Sequence, residues 1–248
     1  TLLLQENRTL PKIHCKAVAL GGALYEPTGQ RGITELLSRL LAKDTLNHDA
    51  LAVAEAVDTV GGTFSGFGGN NTFGLAIEVL KSDQDLAFAL LSDGLLRPAF
   101  SENTFATERE SQITELRESE DEIATYGGRR LRRRFFGEHP YKVGAQGLPE
   151  NLESLTRDDL HSHWRKLLRA GNLVLALSGD FERQSAIEQL QSIAEQIGSE
   201  SFEKTNPPSP GPAETGRILE PLDREQAVIF QAYSDIGVTD GDMPISSV

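Results

Sequence analysis

The chain has 248 residues with 38% hydrophobic content, enough for one large domain or two small ones that each bury a core. Its formal net charge of -13 repels phosphate backbones and anionic bilayers, so it excludes nucleic acid as a partner class and favours basic ligands. The lone cysteine, Cys15, excludes an internal disulfide and sits in an apolar run, KIHCKAVAL, that suits a buried, inert thiol.

Leu2 to Leu4 and Lys12 to Leu20 read as strands separated by a polar turn at Asn7 and closed by Gly21 and Gly22. The first residues, TLLLQENRTLP, lack both Met and the pattern of a signal peptide, so the chain reads as an excerpt that opens inside a strand. Between Arg31 and Leu41, Ile33, Leu36, Leu37, Leu40 and Leu41 recur at helical spacing and leave Glu35, Ser38 and Arg39 off the apolar face. A second helix is predicted from Asp49 to Val60, capped by Asn47 and stopped by Gly61. The stretch from Gly62 to Leu80 suits a hairpin turning at Gly68 to Asn71, and its glycines suggest a flexible backbone. Ser82 opens a helix that Pro98 ends. Ser101 then caps a long helical region carrying Phe105, Glu108, Ile113, Glu115 and Leu116, which Gly127 and Gly128 are expected to interrupt.

After a turn at His139 and Pro140, Thr156 with Asp159 three residues on forms a capping-box pattern for a helix through Leu168. NLVLALS, from Asn172 to Ser178, reads as a buried strand, and Phe181 to Ile197 as an amphipathic helix. The proline-rich stretch that follows marks a linker over 201–216, and two short strand-like segments, Arg217 to Leu222 and Gln226 to Tyr233, open a second domain over 217–248. No apolar stretch approaches the ~20 residues that span a bilayer, so a soluble module without membrane insertion is expected. Mixed strands and helix pairs predict a two-layer α+β domain over 1–200, with a mostly antiparallel sheet and helices on one face.

The order of segments is similar to that of the pitrilysin/insulinase family of metallopeptidases, which includes mitochondrial processing peptidase and the core proteins of the respiratory bc1 complex. The resemblance rests on GGALYEPTGQRGITELLSRLLAKDT, VDTVGGTFSGF, ERESQITEL, FFGEHPY, LTRDDLHSHW and LVLALSGDF, and spans nearly the whole chain. Active members carry an inverted zinc motif, His-x-x-Glu-His, on the first helix: two His one turn apart bind the metal, and the Glu activates its water. Here the resemblance places Glu35 and Arg39 at the histidines and Ser38 at the catalytic Glu, while Glu115 matches the third ligand and Glu108 the second acidic residue of its helix. These five residues would form a degenerate metal site without catalytic residue or metal, and zinc is expected only in a sister module. Arg39 is expected to pair with Glu115 or Glu108 in place of the cation. An ordinary Glu35–Arg39 surface pair, worth about 0.3–0.5 kcal/mol, accounts for the same two residues without any ancestral site.

The resemblance implies a non-catalytic homologue that walls a peptide chamber together with a zinc-bearing sister module in cis or trans. An active zinc-dependent endopeptidase and a purely structural assembly subunit are the alternatives, so enzyme status stays open. In the resembled family, substrate peptide adds to a sheet edge matching Thr63, Phe64, Ser65, Gly66 and Phe67, with Ser65 where many active members have Asn. Peptide or unfolded polypeptide is therefore a candidate partner. His161 and His163, two apart on a helix, diverge too far to share a metal. The run RRLRRRFF, from Arg129 to Phe136, reads as a solvated helix face or as a contact for an acidic partner.

Overall fold

A computed structural model describes residues 1–197, 201–205, 215–222 and 227–233. Its sheet has five strands: β1 (Leu2–Glu6), β2 (Lys12–Leu20), β3 (Thr63–Gly68), β4 (Thr72–Leu80) and β5 (Leu173–Gly179), in the order β1-β5-β2-β4-β3. The period-two pattern of β2 is the reason one face is buried: Ile13, Cys15, Ala17 and Ala19 are at most 4% exposed, while His14, Lys16, Val18 and Leu20 point the other way. Burial also pushes the Cys15 thiol up to about 12, which keeps it protonated and inert. The β3–β4 hairpin turns where Gly69 donates to the Thr72 carbonyl. β5, last in sequence, inserts between β1 and β2, parallel to the first and antiparallel to the second. The sheet is thus mostly antiparallel, and the domain is two-layered α+β.

Among the described residues, eight α-helices accompany the sheet: α1 (Ile33–Leu41), α2 (Ala50–Thr59), α3 (Gln84–Leu96), α4 (Glu102–Glu118), α5 (Ile123–Phe136), α6 (Pro149–Ser154), α7 (Arg157–Leu167) and α8 (Arg183–Glu195). On α1, Leu36, Leu37, Leu40 and Leu41 are at most 1% exposed and form the centre of the core with Leu75, Ile77 and Leu91. Burying each such side chain contributes about 1.5–3 kcal/mol. The capping box at α7 is complete, with Thr156 Oγ1 accepting from the Asp159 amide and Asp159 accepting from the Thr156 amide. No helix among the described residues is long and apolar enough to cross a membrane.

Several local expectations change. Asp49, not Asn47, caps α2 by accepting from the Ala52 amide, and Asn47 instead donates to both carboxylate oxygens of Asp93. A 3-10 turn, Lys81–Asp83, precedes α3, so Ser82 is not its first residue. The helical break falls at 119–122, and α5 runs straight through Gly127 and Gly128. A mid-helix glycine costs only about 1 kcal/mol. The end of α4 is fixed by Arg129, which donates to the Leu116 carbonyl and to Ser119 Oγ.

The glycines of β3 are not there for flexibility. A Cβ on Gly66 would lie 1.7 Å from the Ser38 carbonyl oxygen, and one on Gly68 would lie 2.5 Å from Glu35 Oε2. α1 therefore lies directly on the strand, backbone to backbone.

Beyond α8, Phe202 returns to the core with its ring 5.3 Å from that of Tyr25. The described parts of the two strand-like segments, 217–222 and 227–233, join no ladder. A strand needs a hydrogen-bonding neighbour, and the described residues offer them none. Residues 206–214, most of the expected linker, and 234–248 lie outside the described residues.

Candidate functional site

The start of α1 is anchored by groups drawn from distant elements. The buried Glu26 carboxylate accepts from the amides of Gly32 and Thr34 and so takes the place of a side-chain cap. Burial raises its pKa, against the pull of those hydrogen bonds. Thr34 Oγ1 accepts from the Gly22 amide and lies 2.9 Å from His163 Nε2. Burial holds the His163 imidazole neutral, with its pKa lowered to about 3. Gln112 of α4 donates to the carbonyls of Gly32 and Gln146. Sequence reading did not single out Glu26, Thr34 or Gln112. The one sequence signal was Glu26 in the glycine-bounded run before α1.

The anchored helix presents Arg39 towards α4 and sets Glu35 and Ser38 against Gly68 of β3. Arg39 Nη1 and Nη2 donate to the two oxygens of Glu115 at 2.8 and 2.7 Å, while its Nε donates to Glu35 at 3.1 Å. One guanidinium thus bridges two carboxylates, and the bidentate fork matches the Glu115 carboxylate edge. Glu115 also accepts from Ser111 Oγ. The Arg39 hydrogen bonds hold the Glu115 carboxyl below its ordinary range, and both carboxylates raise the guanidinium further above its own. Ser38 is fully buried and spends its hydroxyl on the Glu35 carbonyl. Glu108 does not reach this cluster; it pairs with Lys43 at 3.0 Å.

β3 runs alongside. Gly68 touches Glu35 and Ser38, so the strand edge and the Arg39 cluster form one continuous surface. Phe64 and Gly66 point into the helical layer, whereas Thr63 and Ser65 are exposed and Phe67 is half-buried on the other face. β3 pairs with β4 on one side and with no other described strand.

The histidines stand apart. The His161 ring packs on Phe100, His139 Nδ1 accepts from the Tyr141 amide, and His48 lies 3.5 Å from Asp93. Of the Arg129–Phe136 run, Arg129 serves α4 while Arg130 and Arg134 meet Glu220 and the Thr215 carbonyl. The acidic contact there is the chain's own.

The sequence pattern of the insulinase family, peptidase family M16, matches residues 2–143, and that of the peptidase M16 inactive domain matches residues 154–237. The two stretches are not separate folds, because β5 of the second lies between β1 and β2 of the first. An uncharacterized zinc protease of Mycobacterium leprae is 26% identical over 212 residues, 84% of this chain and 47% of that protein. A probable mitochondrial-processing peptidase subunit beta of Arabidopsis thaliana is 23% identical over 179 residues, 72% of this chain and 34% of that one. The crystal structure of a peptidase M16 inactive domain from Pseudomonas fluorescens matches with a TM-score of 0.76 at 20% identity, covering 85% of this chain and 51% of that one. The first half of the periplasmic protease PqqL from Escherichia coli matches with a TM-score of 0.73 at 12% identity, covering 83% and 46%. The chain therefore spans about half the length of the relatives it matches.

The zinc in those relatives' names does not fit the residues present here. Arg39 carries a permanent positive charge, has no lone pair to give, and lies between the two carboxylates that could have served as ligands. Among the described residues, no group of three or more His, Cys, Asp or Glu side chains gathers to hold a metal ion. The interleaved sheet and the pattern match over residues 2–143 place the chain in the insulinase family, peptidase family M16.

Proposed function

We propose that this chain is a non-catalytic module of an M16 peptidase assembly. It shapes the wall of a peptide chamber opposite a zinc-bearing sister module, which lies on the same polypeptide or on another chain. The observation that carries this reading is the bidentate Arg39–Glu115 pair, a fixed cation held between carboxylates at positions that the resemblance aligns with the family's zinc ligands. A guanidinium has no coordination position at which to acidify a water, and Ser38, buried and bonded to a helix carbonyl, offers no general base. The domain boundary follows the same reading: residues 1–200 form this module, 201–216 link it onward, and 217–248 open a second unit.

The test is zinc content by mass spectrometry after loading, read beside peptidase activity of the chain alone and with a zinc-bearing M16 module. Substoichiometric zinc and activity that needs the sister support the reading. One tightly held zinc per chain, or cleavage by the chain alone, removes it.

A second reading, retained peptide binding, is supported by β3. Its outer edge pairs with no described strand, and Thr63 and Ser65 are exposed beside it. An extended peptide can add there through main-chain hydrogen bonds, and the chain's net charge of -13 favours basic peptides. Fluorescence anisotropy with an unstructured basic peptide checks this; N-methylation of alternate peptide amides, which removes the donors that would pair with the outward-facing carbonyls of β3, should abolish binding. Affinity unchanged by that methylation in either register would move the peptide elsewhere.

A further inference from the structure

α5 is out of keeping with the other long helices. It is 14 residues long and amphipathic, yet it buries none of them within the domain. A surface helix normally lays one apolar stripe on its own core. The side of α5 that faces α4 and the turn after it is already used: Arg129 reaches the end of α4, and Phe136 packs on His139 and Tyr141. The stripe Gly127, Arg130 and Arg134, at helical i, i+3 and i+7, faces elsewhere.

What lies on that stripe is the chain's own residues from 215–222 and 227–233. Arg130 donates two hydrogen bonds to the Glu220 carboxylate, at 3.1 and 2.7 Å, and Tyr126 donates a third at 2.6 Å. Arg134 donates to the Thr215 carbonyl. Phe230 covers Gly127 so closely that a Cβ there would come within 2.1 Å of the ring, whereas the same atom on Gly128, one residue on, would meet nothing within 4 Å. Within 227–233 the side chains alternate: Val228 and Phe230 are 43% and 37% exposed, against 85% for Ile229 and 78% for Tyr233. That is the period of a strand with one face turned to the helix and an equally apolar face turned away. A strand apolar on both faces belongs inside a two-layer sheet, and the described residues supply neither its neighbours nor its second cover.

We infer that α5 is an interface helix. Its stripe of Tyr126, Gly127, Arg130 and Arg134 receives the sheet that residues 215–222 and 227–233 begin, so that a helix of this module covers one face of the next unit. Gly127 lets the helix backbone approach the aromatic ring of Phe230, Arg130 takes the Glu220 carboxylate, and Arg134 takes the Thr215 carbonyl. The inference rests on the proposed second unit, and it assigns the basic run a partner: the continuation of the same chain.

The test is disulfide trapping in the 248-residue chain, with the double variant Gly127→Cys/Phe230→Cys compared with Gly128→Cys/Phe230→Cys. The native Cys15 is fully buried and does not compete. Linkage should be several-fold faster at position 127, read as a linked peptide pair by mass spectrometry, with the far-ultraviolet circular dichroism of both variants unchanged. Equal rates overturn the seat on α5. Amide hydrogen exchange over 227–233, measured with the complete second unit present, reports separately on that unit. Slow exchange supports the strand, and fast exchange removes the second sheet, and with it the covering role, even if position 127 links first.

Discussion

Replacing Arg39 with Ala would leave two carboxylates facing each other without their cation. Glu35 keeps 17% of its side-chain exposure and Glu115 43%, so the site lies between a surface pair and a buried one. Surface pairs contribute about 0.2–1 kcal/mol. Breaking a fully buried pair costs about 3–5 kcal/mol. With Glu115 discounted for solvent, the expected loss at neutral pH is about 1–3 kcal/mol, or about 2–12 °C in Tm for a unit of this size. The pH dependence carries the sign. Because the folded pKa of Glu115 is depressed, its contribution is complete above the ordinary carboxylate range and disappears as pH falls through the folded value. The difference between wild type and Arg39→Ala should therefore be largest at pH 7 and shrink as pH falls below about 4, where the unfolded chain's Glu115 protonates before the folded one does. Urea unfolding at pH 7 and pH 3.5, fitted with a common m value, measures it. Adding Glu115→Gln to Arg39→Ala should recover part of the loss by removing one stranded charge. A loss under about 0.5 kcal/mol at pH 7, or one independent of pH, would refute the idea that Arg39 acts as the site's structural cation.

Three further outcomes follow from the same geometry. Gly66→Ala should destabilise by about 3 kcal/mol or more, because its Cβ meets the backbone oxygen of Ser38, while Gly128→Ala in open helix should be neutral or stabilising by about 1 kcal/mol; thermal unfolding of the two separates contact from composition. The triple substitution Glu35→His, Ser38→Glu, Arg39→His should create stoichiometric zinc binding with Glu115 as third ligand, read by mass spectrometry; no zinc above the wild-type level would sink the alignment of the site. His163, neutral in the fold with its pKa near 3, takes up its proton only on unfolding, so stability should fall between about pH 6.5 and pH 3 by up to about 1.4 kcal/mol per pH unit. His163→Asn should flatten that slope in chemical denaturation, and an unchanged slope would place the proton uptake elsewhere.

Elements governed by neighbours in sequence were legible before any coordinates. The 3.6-residue spacing of Leu36, Leu37, Leu40 and Leu41 gave α1, the alternation in KIHCKAVAL gave β2, and the Thr156–Asp159 pair gave the start of α7. The helix break was misplaced because glycine propensity is a small local term. The actual ends of α4 and α5 depend on Arg129 reaching back to Leu116 and Ser119. Asn47 looked like a cap until Asp93, from another helix, claimed its amide.

The residues of the candidate site could be chosen from the sequence, through the match of ELLSR and ERESQITEL to a family pattern. Their arrangement could not. Of two acidic residues seven apart on one helix, only the crossing of α1 over α4 decides that Glu115 takes Arg39 while Glu108 takes Lys43. The glycines of β3 read as freedom in one dimension and prove to be space for a helix in three. The sequence by itself determined the local period and the capping box of α7, because these depend on residues within a few positions of each other. The insertion of β5 between β1 and β2, the backbone contact of α1 with β3, and the choice of ion pairs were decided by tertiary structure alone. They join residues far apart in the chain, and no local preference encodes which distant surface each will meet.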